Sequence, residues 1–105
     1  MLTIIQGESF PIYIALMQDD SPLTPDMIEN LKICLGSLKK KLSDGGVTFD
    51  ETTQRWCVFP TQEETLEMPV GPNNVCCHIK YPDGSVISKN LDGILVKAGC
   101  CKEVF

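Results

Sequence analysis

The stretch "VCCHIKYPDGS", Val75 to Ser85, decides the fold. Its second half reads as a hairpin turn. Pro82 presets the first turn residue, Asp83 suits the second, and Gly84 accepts positive φ. The flanking segments then pair, Val75–Tyr81 with Ser85 to about Leu91. Alternation sends Val75, Cys77, Ile79 and Tyr81 to one face, and Cys76, His78 and Lys80 to the other. Cys77 is therefore expected in the core, and Cys76 and His78 on the more polar face. Gly93 marks a bulge or bend before a last strand, "ILVK".

The same pattern recurs outward from this hairpin: short apolar alternations divided by turn signals, as in an all-β sandwich or barrel. "FPIYIAL" sets Phe10, Ile12, Ile14 and Leu16 against Pro11, Tyr13 and Ala15. "NLKICLG" sets Leu31, Ile33 and Leu35 against Lys32 and Cys34. "VTFD" and "RWCVFP" flank "ETTQ" as a second hairpin, with Trp56 and Val58 on one face and Cys57 and Phe59 on the other. Two short helical turns interrupt the strands. "TPDMIEN" has Thr24 as N-cap and Pro25 at the first helical position; "TQEETLEMP" places Thr61 and Glu64 at capping-box spacing.

The 105 residues suit one domain, here a single β-sandwich over 1–105 with residues 97–105 as a C-terminal tail. A formal charge of −5 speaks against nucleic acid or an anionic membrane as partner. Lys39, Lys40 and Lys41 form the basic run, and it reads as protection of an edge strand. The N-terminus, "MLTIIQGESF", lacks the features of a signal peptide, and "IYIALM" is far too short to span a bilayer. Six cysteines (Cys34, Cys57, Cys76, Cys77, Cys100 and Cys101) invite a disulfide reading. The absent signal peptide and the two adjacent pairs favour reduced thiols instead.

The expectation for chemistry is no catalytic residue, no cofactor and no metal. Cys77 and His78 leave opposite faces of a strand. Cys76 and His78 stand about 7 Å apart along one face, whereas a nucleophile–base dyad needs contact near ~3 Å. Only a cysteine from a neighbouring strand, such as Cys34, reaches His78. For a metal, Cys76 and His78 supply two ligands and Cys34 or Cys57 completes the set, but the C-x₂₋₄-C knuckle is missing. "DGG" at Asp44–Gly46 lacks the ending of a phosphate loop. Glu63, Glu64 and Glu67 have no facing carboxylates to act as an acid–base pair, and Asp19 and Asp20 alone are a weak calcium signal.

Along nearly its whole length the chain resembles a known family. The opening strand ending in "QGE", then "FPIYIAL", "PLTPDMIENLKICLG" and "TQEETLEMPVGPNNVCCHIKYPDGSVISKNLDGILVK" carry the likeness. They resemble small immunoglobulin-like β-sandwich proteins of phages and prophages of Gram-positive bacteria, similar to the N-terminal domain of phage baseplate upper proteins. Thr61, Glu63, Thr65, Gly71, Asp83, Gly84 and Gly93 match the family's order of turn, strand, D-G hairpin and closing strand. Asn73, Asn74 and Val75 stand where an aromatic often opens the strand, and six cysteines are unusual for such domains.

The resemblance implies an immunoglobulin-like antiparallel β-sandwich acting as a non-enzymatic structural or assembly module of a prophage tail or baseplate. Its expected partners are further copies of itself and other phage structural proteins, in a particle assembled in the cytoplasm. The alternative is a ligand-binding module of a cell-surface protein, recognising carbohydrate or peptide through Asp19–Thr24 and Pro69–Asn74. A third reading is a thiol–metal site around Cys76 and His78.

Overall fold

The turn at Tyr81–Ser85 closes a long antiparallel hairpin between β9 (Gly71–Lys80) and β10 (Val86–Lys97). The computed structural model describes residues 2–101 and 103–105, so residue 102 of the expected tail, like residue 1, lies outside the described residues. Tyr81 N donates to Ser85 O and Gly84 N to Tyr81 O, each at 2.9 Å, while Asp83 Oδ1 accepts from Ser85 N at 2.8 Å. Gly84 adopts φ 90°, and a Cβ added there meets no atom within 4 Å. Substitution at Gly84 therefore costs backbone strain and no steric clash. Gly84→Val is expected to lower the unfolding free energy by about 1–2 kcal/mol, with an unchanged urea m-value. A loss below a few tenths of a kcal/mol would contradict the positive-φ turn.

The pairing runs Lys80↔Val86 to Val75↔Leu91, then resumes at Asn73↔Ile94. Three steps on β10 match two on β9, which is a bulge at Asp92–Gly93. "ILVK" is thus no separate strand. It continues β10 past the bulge and pairs with Gly71–Asn73, which corrects the expectation of a strand break. Regular pairing reaches Lys97, the first residue of the expected tail.

β5 (Asn30–Leu35) and β6 (Leu38–Lys41) extend the sheet on one side and β1 (Leu2–Ile5) on the other, in the order β1-β10-β9-β5-β6. β1 runs parallel to β10, from Leu2↔Ile94 to Ile5↔Lys97, so the sheet is not wholly antiparallel. No tight turn dictates the direction here, because most of the chain separates the two strands. β6 is an edge, as the lysine run predicts. Lys40, however, pairs with Ile33 on the inner side, and its Nζ meets Glu64 Oε2 at 2.8 Å.

A three-stranded sheet, β2-β8-β7, shares one core with the first; its strands are β2 (Ile12–Ile14), β7 (Val47–Asp50) and β8 (Arg55–Val58). The chain is mostly β, with one short helix and one 3-10 turn. Alternation holds in both sheets. Leu31, Ile33 and Leu35 are buried, as are Trp56 and Val58, while Phe59 is exposed. Trp56 Nε1 donates to Leu23 O at 3.0 Å, which satisfies the indole without a polar gap in the core.

A small hairpin of β3 (Met17–Gln18) and β4 (Ser21–Pro22) adds to the elements expected from the sequence. Its turn residues Asp19 and Asp20 take φ of 50° and 66°, a conformation short polar side chains tolerate. The helix α1 (Gln62–Leu66) carries the full capping box: Glu64 N donates to Thr61 Oγ1 at 3.1 Å and Thr61 N to Glu64 Oε1 at 2.8 Å. The buried Thr65 donates to Glu8 O at 2.7 Å and accepts from Gly7 N at 3.1 Å, tying α1 to the end of β1. At the 3-10 turn Pro25–Met27, the Thr24 hydroxyl bonds Asp26 instead of capping. Met27 N is already satisfied by Thr24 O, at 3.1 Å.

Candidate functional site

The outward face of the five-stranded sheet brings together three chemistry-bearing side chains drawn from two distant segments of the sequence. β5 and β9 pair Cys34 with Cys76 and Lys32 with His78; β10 sets Ser88 on the far side of His78; β6 sets Lys39 opposite Cys34. Partners in register share a face, so Cys34, Cys76 and His78 form one cluster, their ligand atoms all within 4.8 Å of one another. Cys34 is 8% exposed, while Cys76 and His78 are half-buried and open to solvent. Cys77, the next residue after Cys76, is fully buried on the opposite face as expected.

Cys57, the other residue considered for completing a ligand set, lies on β8 of the smaller sheet, paired with Thr48, and is not part of the cluster. Cys100 and Cys101 are exposed in the tail, and all six thiols are free.

Burial pushes the Cys34 thiol up, and the neighbouring Cys76 pushes it further, against the pull of Lys32 and Lys39. Burial likewise raises the thiols of Cys57 and Cys77. Each is therefore held in its protonated, weakly nucleophilic form. His78 Nδ1 lies 2.9 Å from Ser88 Oγ, a contact that fixes the ring plane. When Nδ1–H donates to that hydroxyl, the lone pair of Nε2 is free for a ligand.

Around this cluster the acidic chain presents a basic surface. Lys32 faces Lys41 directly across β5 and β6, an unfavourable like-charge pair. Both lysines join Asn30, His78 and Lys80 in lining a shallow hollow of about 190 Å³. Strand pairing assembles it from Lys32, Lys41 and Lys80, and the two-residue spacing of Lys32 from Cys34 and of Lys80 from His78 puts them on a shared face.

The two loops considered for ligand recognition do not converge. Gln18, beside Asp19, bonds Tyr81 through its side chain (2.9 Å), which places that loop at the hairpin end of β9. Pro69–Asn74 lies at the opposite end, and its residues from Gly71 onward are not loop but strand. The length of β9 separates the ends by roughly 33 Å.

An apolar groove of about 520 Å³ lies between β2 and the bulged part of β10, lined by Leu2, Phe10, Tyr13, Leu91 and Ile94 among others. Arg55 covers the Tyr13 ring at 4.8 Å. Beyond Lys97, Gly99 passes so close to the residue after β1 that a Cβ there would clash with Gln6 O. The tail then returns to α1, where Phe105 N donates to Gln62 Oε1 at 2.9 Å and Gln62 Nε2 to Glu103 O at 3.3 Å. The Phe105 ring remains fully exposed.

Neither the protein-family models nor the curated proteins contain a match to this chain.

Proposed function

We propose that the chain is a non-enzymatic structural module with an immunoglobulin-like sandwich fold, built to assemble with copies of itself and with other proteins of a phage tail or baseplate. The observation that carries this reading is the β1 edge. Among the described strands β1 pairs only with β10; at Ile5 the backbone N and O bond Glu8, and the outer edge ahead of Ile5 is open for a further strand. Leu2 and Ile5 on β1 are exposed, β1 bears no charged side chain, and Ile5, Val104 and Phe105 line one surface hollow. Exposed apolar side chains on a strand edge beside an uncovered aromatic favour protein–protein contact, with the Glu8 carboxylate bounding the patch at Ile5.

The immunoglobulin-like assignment is supported by two sheets sharing one core, with Trp56 buried on the middle strand of the smaller one. The phage connection rests on the likeness of turns and alternation in the sequence. Raised thiols at Cys34, Cys57 and Cys77 favour a non-enzymatic role over cysteine catalysis. Among the described residues no helix is long and apolar enough to cross a membrane. Recognition of carbohydrate or peptide by the two loops together is disfavoured by their separation.

The test is mass in solution. Light scattering after size exclusion is expected to find a homo-oligomer at micromolar concentration. Ile5→Lys places a charge on the open edge and is expected to yield a folded monomer. Phe105→Asp is expected to shift the equilibrium the same way. A strict monomer across the concentration range would remove self-assembly from the proposal, and an oligomer indifferent to Ile5→Lys would move the interface elsewhere.

A further inference from the structure

We propose that Cys34, Cys76 and His78 bind one zinc ion on the outer face of the five-stranded sheet, with a fourth position open to water or to a donor atom from a partner. Sequence spacing leads to the opposite expectation, because it tests for knuckles within one segment. Here two paired strands supply the ligands instead.

Four features of the cluster support the assignment. The three ligand atoms already lie within 4.8 Å of one another, and tetrahedral zinc with sulfur and nitrogen ligands needs them about 3.3–3.8 Å apart. Side-chain rotation can close that gap, because the backbones carrying the ligands are fixed by ladder pairing of two inner strands. The ligand set itself, two thiols and an imidazole, is the kind that holds zinc with one position left open. The Ser88 hydroxyl beside His78 Nδ1 can accept its proton and leave Nε2 to face the metal.

Charge is consistent as well. On binding, each thiol releases its proton to the buffer and forms a sulfur–zinc bond, so two thiolates balance the dication. Lys32 and Lys39 then face a neutral centre. Cys76 and His78 are half-buried, so the open position points outward from the sheet.

The experiment uses the full chain, reduced with a phosphine and freed of metal, titrated with zinc against a chromophoric chelator. Cobalt(II) serves as the spectroscopic probe. The expected result is one equivalent of zinc per chain, a rise in Tm on binding, and a thiolate-to-cobalt charge-transfer band. Cys76→Ser and His78→Ala are each expected to remain folded by circular dichroism and to weaken zinc binding about tenfold or more. The double variant Cys100→Ser/Cys101→Ser controls for the exposed tail thiols and is expected to bind as the parent does. Absence of stoichiometric binding would overturn the proposal. So would affinity that survives Cys76→Ser, or affinity lost in the tail variant. Oligomeric state does not enter these readouts, so failure of the zinc site and failure of the assembly reading are separately visible.

Discussion

Replacing Trp56 by alanine is expected to lower the unfolding free energy by about 3–5 kcal/mol. The side chain is fully buried on β8, the middle strand of the smaller sheet. Its ring lies 4.9 Å from that of Phe49 at an interplanar angle of 60°, and its Nε1 donates to Leu23 O at 3.0 Å. Alanine leaves a cavity between the sheets and an unpaired buried carbonyl at Leu23. Trp56→Phe separates the two effects: it keeps most of the ring but removes the donor, and is expected to cost about 1–3 kcal/mol. Trp56 is the chain's one tryptophan, so denaturation of the variants is followed by circular dichroism. A loss under about 1 kcal/mol for Trp56→Ala would contradict a packed core at this position.

The second large effect contrasts two neighbours on β9. Ile79 is fully buried between Leu31 on β5 and Ile87 on β10 in register, whereas His78 faces outward. Ile79→Asp places a carboxylate in the core without a partner. The expected loss exceeds about 4 kcal/mol, a large share of the about 5–15 kcal/mol that holds a domain of this size. The variant is expected to be unfolded or aggregated at room temperature. His78→Ala removes one surface hydrogen bond, to Ser88, and is expected to cost at most about 0.5 kcal/mol. Urea melts of both variants check the pair. Greater damage from His78→Ala than from Ile79→Asp would mean that the faces of β9 are reversed.

That contrast is legible in the amino-acid sequence itself, since a strand's side chains alternate and the apolar set of β9 marks its buried face. The turn at Gly84, the capping box of Thr61 and Glu64, and the inward faces of β5 and β8 are legible for the same reason. Each depends on residues within a few positions of one another, where backbone sterics and short hydrogen bonds decide the outcome. The hairpin at Asp19–Asp20 is also local but harder to see, because paired aspartates suggest a cation site more readily than a positive-φ turn.

Sequence alone thus determined the β character, the hairpins at Tyr81–Ser85 and between β7 and β8, and the inward faces of β2, β5, β8 and β9. Tertiary structure decided which strands lie side by side. The parallel match of β1 to β10, the continuation of β10 past its bulge, and the pairing of Gly71–Asn73 follow from closing a shared core. So does the meeting of Cys34 with Cys76 and His78. No local rule sets those registers, because burial against the opposite sheet selects them from many pairings that short-range propensity leaves equivalent. The candidate metal site exists only at that level: its residues are ordinary in sequence, and the ladder between β5 and β9 makes them neighbours.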